Sequence, residues 1–313
     1  MKPWEWTMPA PERIRPRIRA RMKDASIGLL LIACCACTAD QKEPQASKPT
    51  TVPKITTATR MTLPIESYMF TDAQRQRIVA AKEQVITDCM KRFGFTYEAP
   101  APESSFQPES MTALRYGVTS VSDATRFGYR PKGSEEVAAA EATRAPTTKT
   151  FKKILQGTGK PFAYKSKSVP KDGCVGEARR ALHDTEKDGG GGDAEISNGI
   201  NAASWDYSYK SKEVRAVFKE WSACMKQEDY RYTDPIAANN DPEWKQSTSA
   251  TEAEKRVATA DAKCKKEYNV VGTWYASDKT YQQKMIAENL KQLEPVQRKI
   301  SAQVRLAGEI LGN

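Results

Sequence analysis

The chain has 313 residues, of which 39% are hydrophobic and 28% charged, with 49 Lys and Arg against 39 Asp and Glu. A mean hydropathy of −0.66 and the lack of an apolar run of membrane-spanning length exclude a polytopic membrane protein. The single histidine, His183, leaves too few ligands for His-rich metal sites and too few members for most His-based triads. Beyond the amino terminus the basic excess is mild and dispersed, so we expect no nucleic-acid partner.

The amino-terminal residues have the order of a secretory signal. Basic residues between Arg13 and Lys23 precede an apolar stretch, Ile27 to Ala33, that is too short to span a bilayer as a helix. An ordinary secretory signal and an apolar core helix are alternatives. The end of the stretch, Leu31-Ile32-Ala33-Cys34, resembles a bacterial lipobox. This resemblance implies that residues 1–33 are a signal peptide and that Cys34, the first mature residue, carries a diacylglyceryl group, which anchors the protein to the membrane.

Residues 34–60 are predicted to form a disordered tether behind the lipid. They are rich in Thr, Pro, Lys, Gln and Ala, and they show no apolar period. A flexible chain of this length reaches about 25–30 Å on average.

An internal repeat is the strongest feature after residue 61. The segment Cys89–Pro100 aligns with Cys224–Pro235, since each begins Cys-Met-Lys and has an aromatic residue six positions after the cysteine, a tyrosine two positions later, and then a proline. Each copy ends a predicted helix. Gly94 stops the first helix, whereas Asp229 stands at that place in the second copy and makes the stop less certain, because Asp tolerates the left-handed conformation less readily than Gly.

Four cysteines lie in these helices and in the helical segments that follow them: Cys89, Cys174, Cys224 and Cys264. In an exported protein such a set indicates two disulfides. Of the three possible pairings, the repeat favours Cys89 with Cys174 and Cys224 with Cys264, because this places one bond in each module. A four-cysteine zinc site is the alternative, but it needs Cys-x-x-Cys knuckles that the sequence lacks.

We therefore expect a mainly α-helical fold with two related, disulfide-bonded helical modules. The first covers residues 61–188 and the second residues 211–276, with a linker at residues 189–210 that begins with four glycines. A long C-terminal helix is predicted for residues 277–313. Pro295 should kink or divide that helix, because proline lacks the amide donor and clashes with the preceding turn.

Few residues indicate chemistry. Gly157-Thr158-Gly159-Lys160 looks like the tail of a phosphate-binding loop, but Pro161 replaces the required Ser or Thr, so we predict an ordinary loop. His183 and Asp184 are adjacent and would point in different directions on a helix, so we expect a surface histidine rather than a catalytic pair. We assign no catalytic residue, no metal site and no cofactor.

The tryptophans of the exported part offer the candidate ligand contacts. All four lie in or just before the second module: Trp205, Trp221, Trp244 and Trp274. Trp221 lies on an apolar helical stripe and is predicted to belong to the core. Trp205 and Trp244 lie in polar surroundings and are the better candidates for stacking on cell-wall sugars or for a protein-binding hot spot. Full or partial burial in the module is the alternative, and we favour it.

The chain also resembles a group of actinobacterial secreted proteins and lipoproteins of uncharacterised function. The resemblance rests on Cys89-Met90 with the trailing Gly94-Phe95, on the run from Gly173 to Arg180, and on Trp221-Ser222 before Cys224-Met225. It implies a cell-envelope location and a disulfide-bonded helical fold, with no activity to transfer. We expect a membrane-anchored extracytoplasmic lipoprotein that binds a cell-wall polymer or another envelope protein, or that has a structural role there. The alternative is a cell-wall hydrolase.

Overall fold

The computed structural model describes residues 51–59, 61–99, 111–133, 147–184 and 194–312. The predicted signal peptide, the predicted lipidation site Cys34 and the four glycines of the predicted linker lie outside these residues. The described part is mainly α-helical, as the sequence predicts. Its helices are α1 (Asp72–Arg92), α2 (Met111–Arg115), α3 (Val121–Phe127), α4 (Lys149–Gln156), α5 (Gly173–Ala181), α6 (Glu195–Lys210), α7 (Lys212–Gln227), α8 (Pro235–Asn239), α9 (Glu252–Glu267), α10 (Val270–Glu288) and α11 (Leu290–Leu311).

Two 3-10 helices and one hairpin complete the described elements: Pro64–Tyr68, Pro242–Gln246, and the antiparallel strands β1 (Phe162–Tyr164) and β2 (Lys167–Val169). The hairpin, which the sequence analysis did not predict, turns through Lys165 and Ser166. Both residues have positive φ, at 46° and 62°, as a two-residue type I′ turn requires.

The starts of the two helices of the repeat lie where side chains can cap them. The Thr71 hydroxyl accepts a hydrogen bond from Gln74 N (3.2 Å), and Gln74 Oε1 accepts one from Thr71 N (3.0 Å), which completes the capping box of α1. Ser211 Oγ accepts a hydrogen bond from Val214 N (3.3 Å) and caps α7. Both starts confirm the sequence-based assignment.

Both copies of the repeat also end their helices in the same way. Phe95 N donates to Met90 O (3.1 Å) and Tyr230 N donates to Met225 O (2.9 Å), which is the long bond of a Schellman motif. The residues that allow it are left-handed in both copies, with φ of +80° at Gly94 and +66° at Asp229. Asp229 thus ends α7 as Gly94 ends α1.

The first module is built on α1 and α5. Its core contains Met90 from α1, Phe93 from the C-cap of α1, Ile154 from α4 and Val169 from β2. The hairpin and α4 therefore cover the disulfide-linked ends of α1 and α5, and Gly157 follows α4 in the loop that the sequence predicts.

The second module is built on α7, α9 and α10. Trp221 and Trp274 are fully buried in its core beside Phe218, and the Trp274 ring meets the Phe218 ring edge-on at 5.0 Å between centroids. The burial of Trp221 confirms its assignment to the core.

Residues 195–210 of the predicted linker form α6 and pack on α10. The buried face of α6 consists of Ser197, Ile200, Ser204 and Ser208. This face has helical spacing but is mostly serine, so no apolar period marks it in the sequence. Hydrogen bonds, rather than apolar contacts alone, attach α6 to the module.

The C-terminal helix divides at Asn289, six residues before the predicted position at Pro295. Gln292 N and Leu293 N both donate to Asn289 O, and α11 then runs through Pro295 to Leu311. Pro295 lacks the amide that would donate to the backbone oxygen of Lys291, yet α11 continues past it. The division lies where the chain leaves the second module, since α10 packs on α6 and α7 whereas α11 packs on α1.

Residues 51–59, at the end of the predicted tether, lie against the helices, and we call them the docked segment. Ile55 N donates to Asn269 Oδ1 (2.9 Å), and Asn269 Nδ2 donates to Pro53 O (3.0 Å). Ala58 is fully buried, and its amide donates to Thr119 Oγ1 (3.0 Å). The composition of the segment gives no sign of this docking, because the partners lie far away in the sequence.

Candidate functional site

Both modules contain a disulfide in the expected pairing. Cys89 of α1 is bonded to Cys174 of α5, and Cys224 of α7 is bonded to Cys264 of α9, with Cα–Cα distances of 5.6 and 5.8 Å. All four cysteines are buried. Each bond therefore joins two helices inside a hydrophobic core, where a reductant in solution has no direct access.

The two candidate tryptophans are not equivalent. Trp244 is only 7% exposed, and its ring nitrogen donates to Ala238 O (2.8 Å), so it belongs to the core of the second module. Trp205 is half-buried, and its ring stacks on that of Tyr209 at 5.0 Å and an interplanar angle of 8°. Of these two tryptophans, only Trp205 keeps a partly accessible surface.

A buried polar network joins α2, α6 and α10 and was not found from the sequence. Arg115 donates to both oxygens of Asp278 (2.9 and 2.7 Å), and Tyr116 OH and Ser208 Oγ each donate to the same carboxylate at 2.9 Å. Trp274 Nε1 donates to Ser208 Oγ (2.9 Å). Burial, reinforced by the Asp278 charge, holds the pKa of Tyr116 well above its ordinary value. The network positions helices and is closed to solvent.

A second buried carboxylate lies between α7 and α9. Asp261 accepts hydrogen bonds from Trp221 Nε1 and Lys265 Nζ, both at 2.9 Å, and Lys265 Nζ also donates to Val118 O. Burial raises the pKa of Asp261, and Lys265 opposes that effect. Asp261 and Lys265 are at most 2% exposed, so a polymeric substrate has no access to them.

The described surface also contains an open cavity of about 500 Å³ between α1, α5 and α11, which we call the α1–α5 cleft. Apolar side chains from one face of α1, Ile78, Val79 and Ile86, line it together with Val175 of α5. The positions on α1 are spaced so that they share one helical face. The cleft is therefore built from the same two helices that the first disulfide joins.

The polar lining of the cleft is mostly basic. Arg75, Lys82 and Arg179 line it with one carboxylate, Asp184. Lys82 Nζ donates to Asp184 Oδ2, Arg179 Nε donates to the backbone oxygen of Asp184 (3.0 Å), and Arg75 donates to Phe70 O (3.1 Å). Among the described residues, none donates to Asp184 Oδ1, although that oxygen is buried.

The structure separates the two members of the His183–Asp184 pair. His183 is exposed and left-handed (φ 50°), which confirms a surface histidine, and its backbone oxygen accepts a hydrogen bond from Gln303 (3.1 Å). Asp184 is 3% exposed and pairs with Lys82 instead. Sequence adjacency drew attention to this carboxylate, but its partner comes from a helix about one hundred residues earlier.

Among the described residues, no helix combines the length and apolar character needed to span a membrane, and no group of three His, Cys, Asp or Glu side chains is arranged to bind a metal. Comparisons with protein-family models, curated proteins and solved structures found no match to this chain.

Proposed function

We propose that the protein is an exported lipoprotein, held to the membrane through an acylated Cys34, whose helical body acts by binding or as a structural element at the cell envelope. The observation that carries this proposal is the pair of buried disulfides, Cys89–Cys174 and Cys224–Cys264. Structural disulfides persist in oxidising compartments outside the cytoplasm. In the first 33 residues, basic side chains precede an apolar stretch, which is the order of a secretory signal and supports export.

The docked segment limits the length of chain that separates Cys34 from the helical body. It bonds to Asn269, between α9 and α10 of the second module, and to Thr119, which precedes α3, a helix that packs on α9. If residues 35–50 form the flexible spacer that their composition favours, they reach about 20–24 Å on average.

Trp205 is the remaining candidate for contact with a cell-wall polymer or an envelope protein. Its stacking partner Tyr209 donates to Asp234 Oδ2 (3.0 Å), and the guanidinium of Arg215 lies 5.6 Å from the Tyr209 ring centre. These contacts hold the tyrosine, and through it the tryptophan, in a fixed orientation. A fixed aromatic ring at a surface loses little conformational freedom when it binds.

The anchor is tested by comparing three full-length proteins in a bacterium that processes lipoproteins: wild type, Cys34→Ala, and Cys37→Ala as the matched control. We expect wild type and Cys37→Ala in the membrane fraction with an intact mass that includes acyl groups. Cys34→Ala should leave that fraction and lack the acyl mass, because its acceptor thiol is gone.

The disulfides give an independent readout in the same preparations. Alkylation before reduction should leave Cys89, Cys174, Cys224 and Cys264 unmodified in wild type, and alkylation after reduction and denaturation should modify all four. A cytoplasmic protein with these thiols free would overturn export, and a Cys34→Ala protein that keeps its acyl mass would overturn the anchor assignment.

A further inference from the structure

The α1–α5 cleft has the size and lining of a small-molecule site. Its volume of about 500 Å³ lies within the range of about 300–1,000 Å³ that is common for ligand pockets. Its apolar lining continues to the surface at Val79, whose side chain is 50% exposed. A hydrocarbon chain that covered Val79 and entered the cleft would remove apolar surface from water.

The charges of the cleft favour an anion. Arg75, Lys82 and Arg179 carry three positive charges against the single negative charge of Asp184. Lys82 is 30% exposed at its side chain, so its ammonium group stays accessible while it pairs with the carboxylate. An ammonium group has three donors, and the bond to Asp184 Oδ2 uses one of them.

The free oxygen of Asp184 points to a further property of the ligand. Asp184 is only 3% exposed, and none of the described residues donates a hydrogen bond to its Oδ1. A buried acceptor without a donor is unfavourable. A hydroxyl group that reached Oδ1 from the cleft would satisfy it, provided that the Lys82 ammonium rotates toward the bound anion.

We propose that the α1–α5 cleft binds a single-chain amphiphile whose head group carries both a negative charge and a hydroxyl. The chain lies along Ile78, Val79, Ile86 and Val175, and the anion lies at Lys82 and Arg179. The hydroxyl donates to Asp184 Oδ1. This site is separate from Trp205 and from the lipid anchor.

The probe for this proposal is 3-hydroxydodecanoate, titrated by calorimetry below its micelle concentration into full-length Cys34→Ala protein, so that no detergent competes. We expect saturable binding at one site. Dodecanoate lacks the hydroxyl and should bind about tenfold more weakly. Neither 3-hydroxybutyrate, which lacks the chain, nor dodecyltrimethylammonium, which reverses the charge, should bind at the concentrations that saturate the site.

Variants at Val79 test the charge preference without disturbing the core, because half of this side chain is exposed. Val79→Glu should weaken binding of 3-hydroxydodecanoate at least about fivefold, whereas the matched Val79→Lys should keep or tighten it. Asp184→Asn keeps the shape and removes the unpaired carboxylate oxygen. In that variant the preference for 3-hydroxydodecanoate over dodecanoate should fall to about one.

Three results would overturn the proposal: no saturable binding of either amphiphile, equal affinities for Val79→Glu and Val79→Lys, or equal binding of the cationic amphiphile. A hydroxyl preference that survives Asp184→Asn would overturn the role of that oxygen. The anchor is absent from the protein used, so these outcomes are independent of whether Cys34 is acylated.

Discussion

Asp278 is fully buried, and the residues around it show how the interior tolerates charge. Arg115, Tyr116 and Ser208 all donate to its carboxylate, and the Arg115 side chain is itself only 6% exposed. A buried pair of this kind gains little over an apolar pair, because desolvation offsets the attraction. Removing one partner is different, since the other charge is then left uncompensated.

Replacing Asp278 should therefore be much more costly than replacing an exposed acidic residue. We expect Asp278→Asn to lower the free energy of unfolding by about 3–5 kcal/mol, because Arg115 stays charged and buried. Asp206, which forms an exposed pair with Lys210, is the matched control, and Asp206→Asn should change the stability by no more than about 0.5 kcal/mol. Urea denaturation measures both, and similar losses in the two variants would contradict the argument.

The two Schellman ends of α1 and α7 are the clearest likeness between the modules at the level of elements. Gly94 and Asp229 have the same left-handed backbone. A Cβ at Gly94 would meet only Lys165 Nζ, at an ordinary 3.9 Å. The difference between glycine and aspartate at these positions is therefore one of backbone conformation and not of space.

Exchanging the two residues should give opposite effects on stability. Gly94→Asp should lower the free energy of unfolding by about 1 kcal/mol, because the left-handed conformation is unfavourable for a residue with a Cβ atom. Asp229→Gly should raise it by a similar or smaller amount, since glycine also has more freedom to lose when the chain folds. Thermal and chemical denaturation of both variants check the signs, and two changes of the same sign would exclude this explanation.

The elements that the sequence predicts are those with local signals. The capping box at Thr71 and the cap at Ser211 need only nearby residues, and so does the apolar stripe of α7. The serine face of α6 carries no such signal, because its contacts are hydrogen bonds to distant residues. The hairpin turn at Lys165 and Ser166 lacks the Gly or Asn that marks a type I′ turn.

The candidate site depends even more on distant contacts. Asp184 could be selected from the sequence for its place beside His183, yet its partner Lys82 and the apolar face around Val79 come from another helix. No spacing rule connects these residues, since their proximity follows from how α1 packs on α5. Trp244 shows the reverse case, because its polar sequence neighbours make it a candidate for surface contact, whereas folding buries it, which agrees with the favoured alternative.

In the whole molecule, the two C-terminal helices, α10 and α11, connect the two modules. The chain passes from α10, in the second module, directly into α11, which covers α1 of the first. Leu293 lies with Ile65 and Ile200 in a core between them. Each disulfide therefore cross-links part of one continuous body of helices, and the modules are also held together by this packing.

Removal of either disulfide should destabilise the whole body to a similar extent. The bonds close loops of 85 and 40 residues by sequence separation, for which the chain-entropy model gives about 4.6 and about 3.9 kcal/mol. We expect Cys89→Ser with Cys174→Ser, and Cys224→Ser with Cys264→Ser, each to unfold in one transition at lower denaturant concentration. Two separate transitions, or losses that differ by more than about 2 kcal/mol, would contradict this expectation.

The docked segment can attach only after much of the chain that follows it is available. Ile55 N donates a hydrogen bond to Asn269, and Ile65 N, just after the segment, donates one to Gln282 Oε1 (3.0 Å). Neither bond can form until a partner more than two hundred positions later in the chain is available. If the protein is exported amino terminus first, as we propose, the docked segment stays unattached until α10 has emerged. Contacts that close such long loops form late in folding. We therefore expect the docked segment to attach beside α10 as one of the last steps of folding.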